Sequence, residues 1–130
     1  MRWLITGAGG QLAHHLTAVL AGSQDEVSAL SERELDITDS GTVVDALDAL
    51  CPDVVVNTAA YTAVDAAETD PRRAELVNAT GPGLLAAALR TSSGRLLQVS
   101  TDYVFAGTFP GTEPRPYEPD DPTDPRTVYG

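Results

Sequence analysis

A glycine-rich turn close to the start of the sequence limits the folds open to this chain more than any other feature. The apolar run Arg2–Thr6 breaks at Gly7, and a helical pattern begins at about Gly10. Gly7, Gly10 and Ala13 have the spacing G-x-x-G-x-x-[G/A], which permits a tight turn, close approach of the backbone to a ligand and close packing of the helix on the strand. The N–H groups at the start of such a helix attract phosphates. With a strand before it and a helix after it, this turn predicts a dinucleotide site.

The composition excludes several classes of protein. The chain has 130 residues, enough for one domain with its own core. Its net charge of −11 argues against sequence-independent nucleic-acid binding, which needs a basic surface. The apolar runs are far shorter than a membrane span, and we expect no secretory signal because the sequence opens on the first strand. The single cysteine, Cys51, rules out an internal disulfide and is expected in the core, so we expect a cytoplasmic protein.

Strands and helices alternate along the rest of the chain. The predicted strands are Arg2–Thr6, Glu26–Leu30, Val54–Asn57 and 95–99. The predicted helices are 10–20 with Leu12, Leu16, Val19 and Leu20 on its buried face, 42–50 capped by Thr38 or Asp39, a short turn at 64–68, and 71–89 with a kink or break at 81–83. This order predicts an α/β fold, a Rossmann-type doubly wound parallel sheet that is incomplete, with about four strands and helices on both faces.

Ligands bind at the carboxyl ends of the strands in such a sheet. The second strand is followed by Ser31, Glu32 and Arg33; an acid there favours NAD, whereas an arginine or a small polar residue accommodates the 2′-phosphate of NADP, so the preference stays open. The small residues after the third strand leave space beside a cofactor. Asn78 is expected either to hydrogen-bond backbone near the site or to lie at the surface.

The segment 107–126 holds six of the nine prolines, five acids and two arginines. A stretch of this length without regular structure is usually functional or disordered, and we interpret it as a flap on the substrate side. Because the acids are scattered or lie in this segment, no metal site is predicted.

Several motifs, in one order, resemble the extended short-chain dehydrogenase/reductases, and among them the family of dTDP-4-dehydrorhamnose reductases. They are the Gly-Gln-Leu phosphate loop within 7–12, Leu-Asp-Ile-Thr-Asp at 35–39, Asn-x-Ala-Ala-Tyr-Thr-x-Val-Asp-x-Ala-Glu at 57–68, Ser-Thr-Asp-Tyr-Val-Phe at 100–105 and Val-Tyr-Gly at 128–130. Such a set in order is far more specific than any one motif.

The resemblance implies an enzyme that uses NADPH or NADH to reduce the C4 carbonyl of a dTDP-linked sugar. It makes Tyr129 the general acid and Thr101 the hydrogen-bond donor to the carbonyl oxygen. The implied cofactor-binding residues are Gly7, Gly9, Gly10, Gln11, Leu12, Ser31, Arg33, Asp36, Ile37, Thr58, Ala59, Ala60, Tyr61, Asn78 and Ser100. The implied substrate-binding residues are Thr62, Val64, Asp102 and Tyr103.

In this family a lysine four residues after the tyrosine stabilises the phenolate and holds the nicotinamide ribose, and that position would be 133. We therefore expect 1–130 to be an NAD(P)-binding Rossmann domain without the rest of the sheet and the substrate-binding portion, with little activity alone. Two alternatives are a non-catalytic dinucleotide-binding or regulatory protein and a sugar-nucleotide epimerase; the motifs at 61–62 and 100–105 favour a reductase over an epimerase. An uncovered sheet edge predicts a homo-oligomer or pairing with another chain.

Overall fold

A computed structural model describes residues 1–109 and 113–130 and contains one parallel sheet with strand order β2-β1-β3-β4. The strands are β1 (Arg2–Thr6), β2 (Glu26–Leu30), β3 (Val54–Asn57) and β4 (Arg95–Gln98). The helices are α1 (Gln11–Leu20), α2 (Ser40–Leu50), α3 (Val64–Ala67), α4 (Pro71–Glu75) and α5 (Gly81–Leu89), with a π-helical segment (Leu76–Thr80) between α4 and α5 and a 3-10 turn at Asp102–Val104. The predicted α/β, Rossmann-type parallel sheet is confirmed. No helix in the described ranges is long and apolar enough to cross a membrane.

The register of the sheet brings the carboxyl ends of all four strands to one edge. Thr6 at the end of β1 lies opposite Leu30 of β2 and Asn57 of β3. Asn57 in turn lies opposite Gln98 at the end of β4. The segments that follow the four strands therefore start side by side, and this edge is where the site forms.

Helices cover both faces of the sheet because successive side chains of the buried strands alternate between the faces. One core cluster joins the sheet to α2 and α5 and consists of Leu4, Leu35, Ile37, Val43, Leu47, Val55, Leu85 and Leu89. The other lies under α1 and consists of Ile5, Ala13, Val54 and Val56. The two clusters give the layered arrangement of a doubly wound sheet.

Helix α1 turns only part of its predicted face toward the sheet. Ala13 is buried, whereas Leu12 and Val19 are 43% and 77% exposed. Leu16 and Leu20 pack at the margin of the core as predicted. A small residue at the contact lets the helix lie close to the strands, and this approach turns the stripe of larger residues partly toward solvent.

Cys51 is exposed, so its expected place in the core is wrong. It ends α2 in the left-handed conformation, with φ of 43°, and its N–H donates to Leu47 O at 2.8 Å. At the other end of α2 the cap is Asp39, whose carboxylate accepts from the N–H groups of Gly41 and Thr42. Asp39 was one of the two predicted caps.

The helical stretch from Pro71 to Leu89 stays helical through 81–83, where the sequence predicted a kink or break. Instead, the π-helical segment precedes Pro82, which sits in the first turn of α5. Pro82 lacks an N–H and its ring would crowd the carbonyl four residues earlier, and a wider turn there relieves both problems. That wider turn contains Asn78, a residue of the site.

Two sets of contacts order the described part of the segment interpreted as a flap. The rings of Phe105 and Tyr117 stack with centroids 4.2 Å apart. The Arg115 guanidinium donates to both carboxylate oxygens of Asp121, at 2.7 and 2.6 Å. Residues 110–112 of the segment lie outside the described residues.

Candidate functional site

The glycine turn after β1 has the backbone geometry that its sequence predicts. Gly7 has φ of +70°, and a Cβ added to it would lie 2.8 Å from both Cα and N of Ala59. The Gly10 N–H donates to Gly7 O at 2.9 Å, which closes the turn. A Cβ at Gly9 would meet no described atom within 4 Å. Gly7 is thus required by the fold, while Gly9 leaves its backbone open to a ligand.

The start of α1 adds donors to this turn. Gly10 precedes the helix, and no side chain among the described residues caps it. The first N–H groups of the ten-residue helix therefore face the edge of the sheet with the positive end of its dipole. Gly7, Gly9 and this helix end together form a cradle that fits a pyrophosphate.

A cavity of about 500 Å³ lies beside this turn, between the ends of β1, β2 and β3, and is called here the β2-side cavity. Eleven of the predicted cofactor-binding residues line it: Gly7, Gly9, Gly10, Ser31, Arg33, Asp36, Ile37, Thr58, Ala59, Ala60 and Tyr61. Five further residues complete the lining: Glu32, Leu35, Thr38, Arg73 and Val77. Its apolar walls and few charged groups are typical of a small-molecule site.

Four charged residues line the β2-side cavity, two of each sign. Asp36 accepts from the N–H and the hydroxyl of Thr38 at 2.9 and 2.7 Å. These hydrogen bonds hold the pKa of the Asp36 carboxyl below its ordinary value, and the positive charge of Arg73 acts in the same direction. The Arg73 guanidinium also donates to Glu32 Oε1 at 2.7 Å. Arg33 is the fourth charge.

A second cavity, of about 570 Å³, lies on the other side of the turn and is called the β4-side cavity. The predicted residues that line it are Gly10, Gln11, Leu12, Thr58, Ala59, Ala60, Thr62, Asn78, Ser100, Thr101 and Tyr129. It shares Gly10 and the stretch 58–60 with the β2-side cavity, so the two cavities lie side by side along the edge of the sheet and are together called the groove. The predicted catalytic pair therefore lies in one half of this groove and the predicted ribose-binding segment in the other.

A chain of polar side chains forms the floor of the groove. The Thr6 hydroxyl donates to Asn57 Oδ1, and the Asn57 amide donates to Gln98 Oε1 at 2.7 Å. The Thr58 hydroxyl donates to Thr6 O at 2.7 Å. Thr6 and Asn57 are fully buried, so these bonds satisfy polar atoms that would otherwise be costly to bury. They hold the ends of β1, β3 and β4 in a fixed relation under the site.

Asn78 hydrogen-bonds backbone at the site, which was one of its two expected positions. Its Oδ1 accepts from Tyr61 N at 2.8 Å, and its Nδ2 donates to Tyr61 O at 2.9 Å. The π-helical segment places this side chain toward the loop after β3. Asn78 thus sets the path of that loop between the two cavities, and π-helical turns are frequent at functional sites.

The two predicted catalytic side chains reach the β4-side cavity from different segments. Thr101 precedes the 3-10 turn, and its hydroxyl accepts from Tyr103 N at 3.2 Å. The Tyr129 ring packs edge to face on Tyr103, with centroids 5.4 Å apart. Next to Tyr129, the Val128 N–H donates to Glu68 Oε1 at 2.8 Å. Contacts with two distant parts of the chain therefore place the segment that carries Tyr129.

Three predicted substrate-binding residues, Val64, Asp102 and Tyr103, are not among the described residues that line either cavity. Conversely, Arg73 lines the β2-side cavity and the sequence analysis missed it. The Asp-Pro step at 70–71 marks the start of its helix, but no sequence signal connects Arg73 with the segment after β2. No group of three or more potential metal ligands occurs in residues 1–109 and 113–130.

Parallel strands, a glycine turn with a positive φ and a groove along the carboxyl edge define a Rossmann-type protein with a site of nucleotide-binding form. The model of one family, the RmlD substrate binding domain, matches residues 1–130, and the chain belongs to this family.

Curated and solved relatives agree with this assignment. A dTDP-4-dehydrorhamnose reductase of Streptomyces griseus is 52% identical over 129 residues, which are 99% of this chain and 41% of the relative. The crystal structure of a dTDP-4-dehydrorhamnose reductase from Clostridium acetobutylicum is 39% identical with a TM-score of 0.93, and the match covers 100% of this chain and 45% of that one. A dTDP-4-dehydrorhamnose reductase from Bacillus anthracis, in complex with NADP, is 33% identical with a TM-score of 0.90 over 98% of this chain and 44% of that one. The chain spans less than half the length of these relatives.

Proposed function

We propose that this chain is the cofactor-binding part of an NAD(P)H-dependent reductase that converts dTDP-4-dehydrorhamnose to dTDP-L-rhamnose. One observation carries the proposal: Thr101 and Tyr129 line the same cavity as Gly10, the last residue of the glycine turn. The proposed proton donor, the proposed carbonyl-binding hydroxyl and the proposed phosphate cradle would thus lie along one groove. The names of the Streptomyces griseus and Clostridium acetobutylicum relatives support the substrate, and the NADP complex of the Bacillus anthracis relative supports the cofactor.

The chain's own residues would divide the work of binding along the groove. The turn at 7–10 and the start of α1 would bind the pyrophosphate through N–H groups. The residues that follow β2 would meet the adenosine ribose in the β2-side cavity. The nicotinamide, when bound, supplies the hydride. Asn78 would keep the loop after β3 in place between the two halves of the ligand.

In the β4-side cavity the Thr101 hydroxyl would donate a hydrogen bond to the C4 carbonyl oxygen of the sugar. This bond strengthens as negative charge develops on the oxygen, so it favours the transition state. The Tyr129 hydroxyl would then donate its proton to the same oxygen and act as general acid. Glu68 would contribute indirectly, because it holds the backbone beside Tyr129.

Binding and turnover measured on the same sample test this proposal. The fluorescence of NADPH and NADH is titrated with the chain, and reduction of dTDP-4-dehydrorhamnose is then assayed with either cofactor. We expect binding with little turnover, since the chain spans 41% of the Streptomyces griseus relative. Failure to bind either dinucleotide would refute the proposed site, and substantial turnover would refute the expectation that this part of the enzyme is inactive alone.

The variant Gly9→Val ties binding to the glycine turn. Its side chain would enter open space and leave the core intact, because a Cβ at Gly9 meets no described atom within 4 Å. We expect this variant to bind both dinucleotides much more weakly, while its midpoint of thermal unfolding stays unchanged. Unaltered binding by this variant would place the phosphates elsewhere.

A further inference from the structure

Arg73 and Glu32 form an ion pair across the β2-side cavity. The two residues are 41 positions apart in the sequence, and Arg73 Nη2 lies 2.7 Å from Glu32 Oε1. Both line the cavity together with Ser31 and Arg33 from the segment after β2. The Arg73 and Glu32 side chains keep 41% and 72% of their surface exposed, so a ligand can reach both.

The helix that carries Arg73 is firmly anchored. The Asp70 carboxylate accepts from Arg73 N at 3.2 Å and caps the start of α4. The next residue, Ala74, is 3% exposed and packs against the rest of the protein. The backbone of Arg73 is therefore held beside the cavity, while its long side chain keeps the freedom to exchange one anionic partner for another.

The acidic character of the chain makes a cation in this cavity important for binding a phosphate. The chain has a net charge of −11, no lysine and eight arginines, and two of those arginines line the β2-side cavity. A dinucleotide with an additional phosphate approaches such a chain against repulsion and needs local cations. In the cavity Glu32 and Asp36 balance Arg33 and Arg73, so an entering phosphate competes with Glu32 for the Arg73 guanidinium.

We propose that Arg73 is a specificity-determining residue that binds the 2′-phosphate of NADPH, and that Glu32 weakens this preference by competing for the same guanidinium. The inference rests on the proposed function, because it requires a dinucleotide in the groove. NADH has a hydroxyl in place of the phosphate and leaves the ion pair intact. Arg73 therefore acts in addition to Arg33, the arginine that the sequence alone indicates. The guanidinium suits this role because it donates two parallel hydrogen bonds to a phosphate.

Three single variants test the inference through binding alone. Arg73→Gln removes the charge, Glu32→Gln removes the competitor, and Arg72→Gln removes a charge from the neighbouring position of the same helix as a matched control. Arg72 is exposed and is not among the described residues that line the cavity. The dissociation constants of NADPH and NADH are measured by nicotinamide fluorescence, and those of adenosine 2′,5′-bisphosphate and AMP by calorimetry.

Arg73→Gln is expected to weaken binding of NADPH and of the bisphosphate about tenfold, a small effect for charge-assisted hydrogen bonds because the Arg73 side chain is 41% exposed. Binding of NADH and AMP should change by less than about twofold. Glu32→Gln is expected to strengthen the binding of NADPH about threefold or more without strengthening that of NADH, because no carboxylate then competes with the phosphate for the guanidinium. Arg72→Gln is expected to leave the ratio of the two affinities unchanged. Added salt should reduce the advantage of NADPH, since the contact lies near the surface.

Other outcomes overturn the inference in distinguishable ways. If Arg73→Gln weakens both dinucleotides equally, or neither, Arg73 does not read the 2′-phosphate. If Glu32→Gln weakens NADPH as much as Arg73→Gln does, the intact pair is needed and the two groups do not compete. If the unmodified chain binds NADH but not NADPH, the inference fails and the dinucleotide site stands. If it binds neither, the proposed function fails as well.

Discussion

Replacement of Gly7 by alanine tests the turn on which the groove depends. Gly7 has φ of +70°, a conformation that an L side chain adopts at a cost. The added methyl group would lie 2.8 Å from the Cα and N atoms of Ala59 and 3.1 Å from the carbonyl carbon of Thr58. These are backbone atoms of the loop that follows β3, and hydrogen bonds to Thr6 hold that loop in place. They cannot rotate away as the end of a flexible side chain would.

The size of the effect follows from three contributions. The left-handed backbone costs alanine roughly 1–2 kcal/mol relative to glycine. The overlap with fixed backbone adds about 1–3 kcal/mol, as other oversized substitutions in packed sites do. Alanine also lowers the entropy of the unfolded chain, which offsets about 0.4–1 kcal/mol. The free energy of unfolding should therefore fall by about 1–4.6 kcal/mol, and the midpoint of thermal unfolding by roughly 3–18 °C.

Urea and thermal unfolding, followed by circular dichroism, measure this loss. Gly9→Ala is the matched control, because its Cβ meets no described atom within 4 Å and it should change the free energy of unfolding by less than about 0.5 kcal/mol. Equal stability of Gly7→Ala and the unmodified chain would refute the reasoning. Equal losses in both variants would show that the effect does not come from the contact with Ala59.

Two further predictions concern the C-terminal part of the chain. Glu68→Ala removes the acceptor of the Val128 N–H, so hydrogen exchange at that amide should become several times faster by NMR, whereas Glu75→Ala should leave it unchanged; equal exchange in Glu68→Ala and the unmodified chain would contradict the contact. The Arg115 guanidinium lowers the pKa of Asp121 to about 2, so their pairing is complete above the ordinary carboxyl pKa and is lost as the pH falls through about 2. In Arg115→Gln the pKa of Asp121, followed by carboxyl carbon chemical shift, should rise toward its ordinary value, and an unmoved pKa would contradict the assigned cause.

The sequence predicted the strands well because their signals are local. Val54–Asn57 is a short β-branched run with an Asp before it, and the structure gives the strand the same bounds. The structure also gives the strand Glu26–Leu30 its predicted bounds, although polar and apolar residues alternate only weakly along it. The Asp39 cap is local too, since the carboxylate bonds to N–H groups two and three residues further on.

The predictions that failed concern how elements approach one another. Periodicity marked a stripe on α1, but the close approach through Ala13 leaves Val19 exposed. Cys51 was expected in the core because an apolar strand follows it, yet it ends a helix at the surface. Burial of this kind depends on the angle and distance between elements, which a pattern along one element does not contain.

The candidate site likewise has features that the sequence predicts locally and features that depend on long-range contacts. The glycine turn, the start of α1 and the alternation of strands with helices follow from local patterns, so the sequence alone predicted a dinucleotide site at the carboxyl edge. The pairing of Arg73 with Glu32, of Asn78 with the Tyr61 backbone, and of Glu68 with Val128 joins residues 41, 17 and 60 positions apart. No local propensity encodes these contacts, because each depends on where a helix or loop lies after the whole sheet has packed. Only the tertiary structure decided which side chains complete the groove.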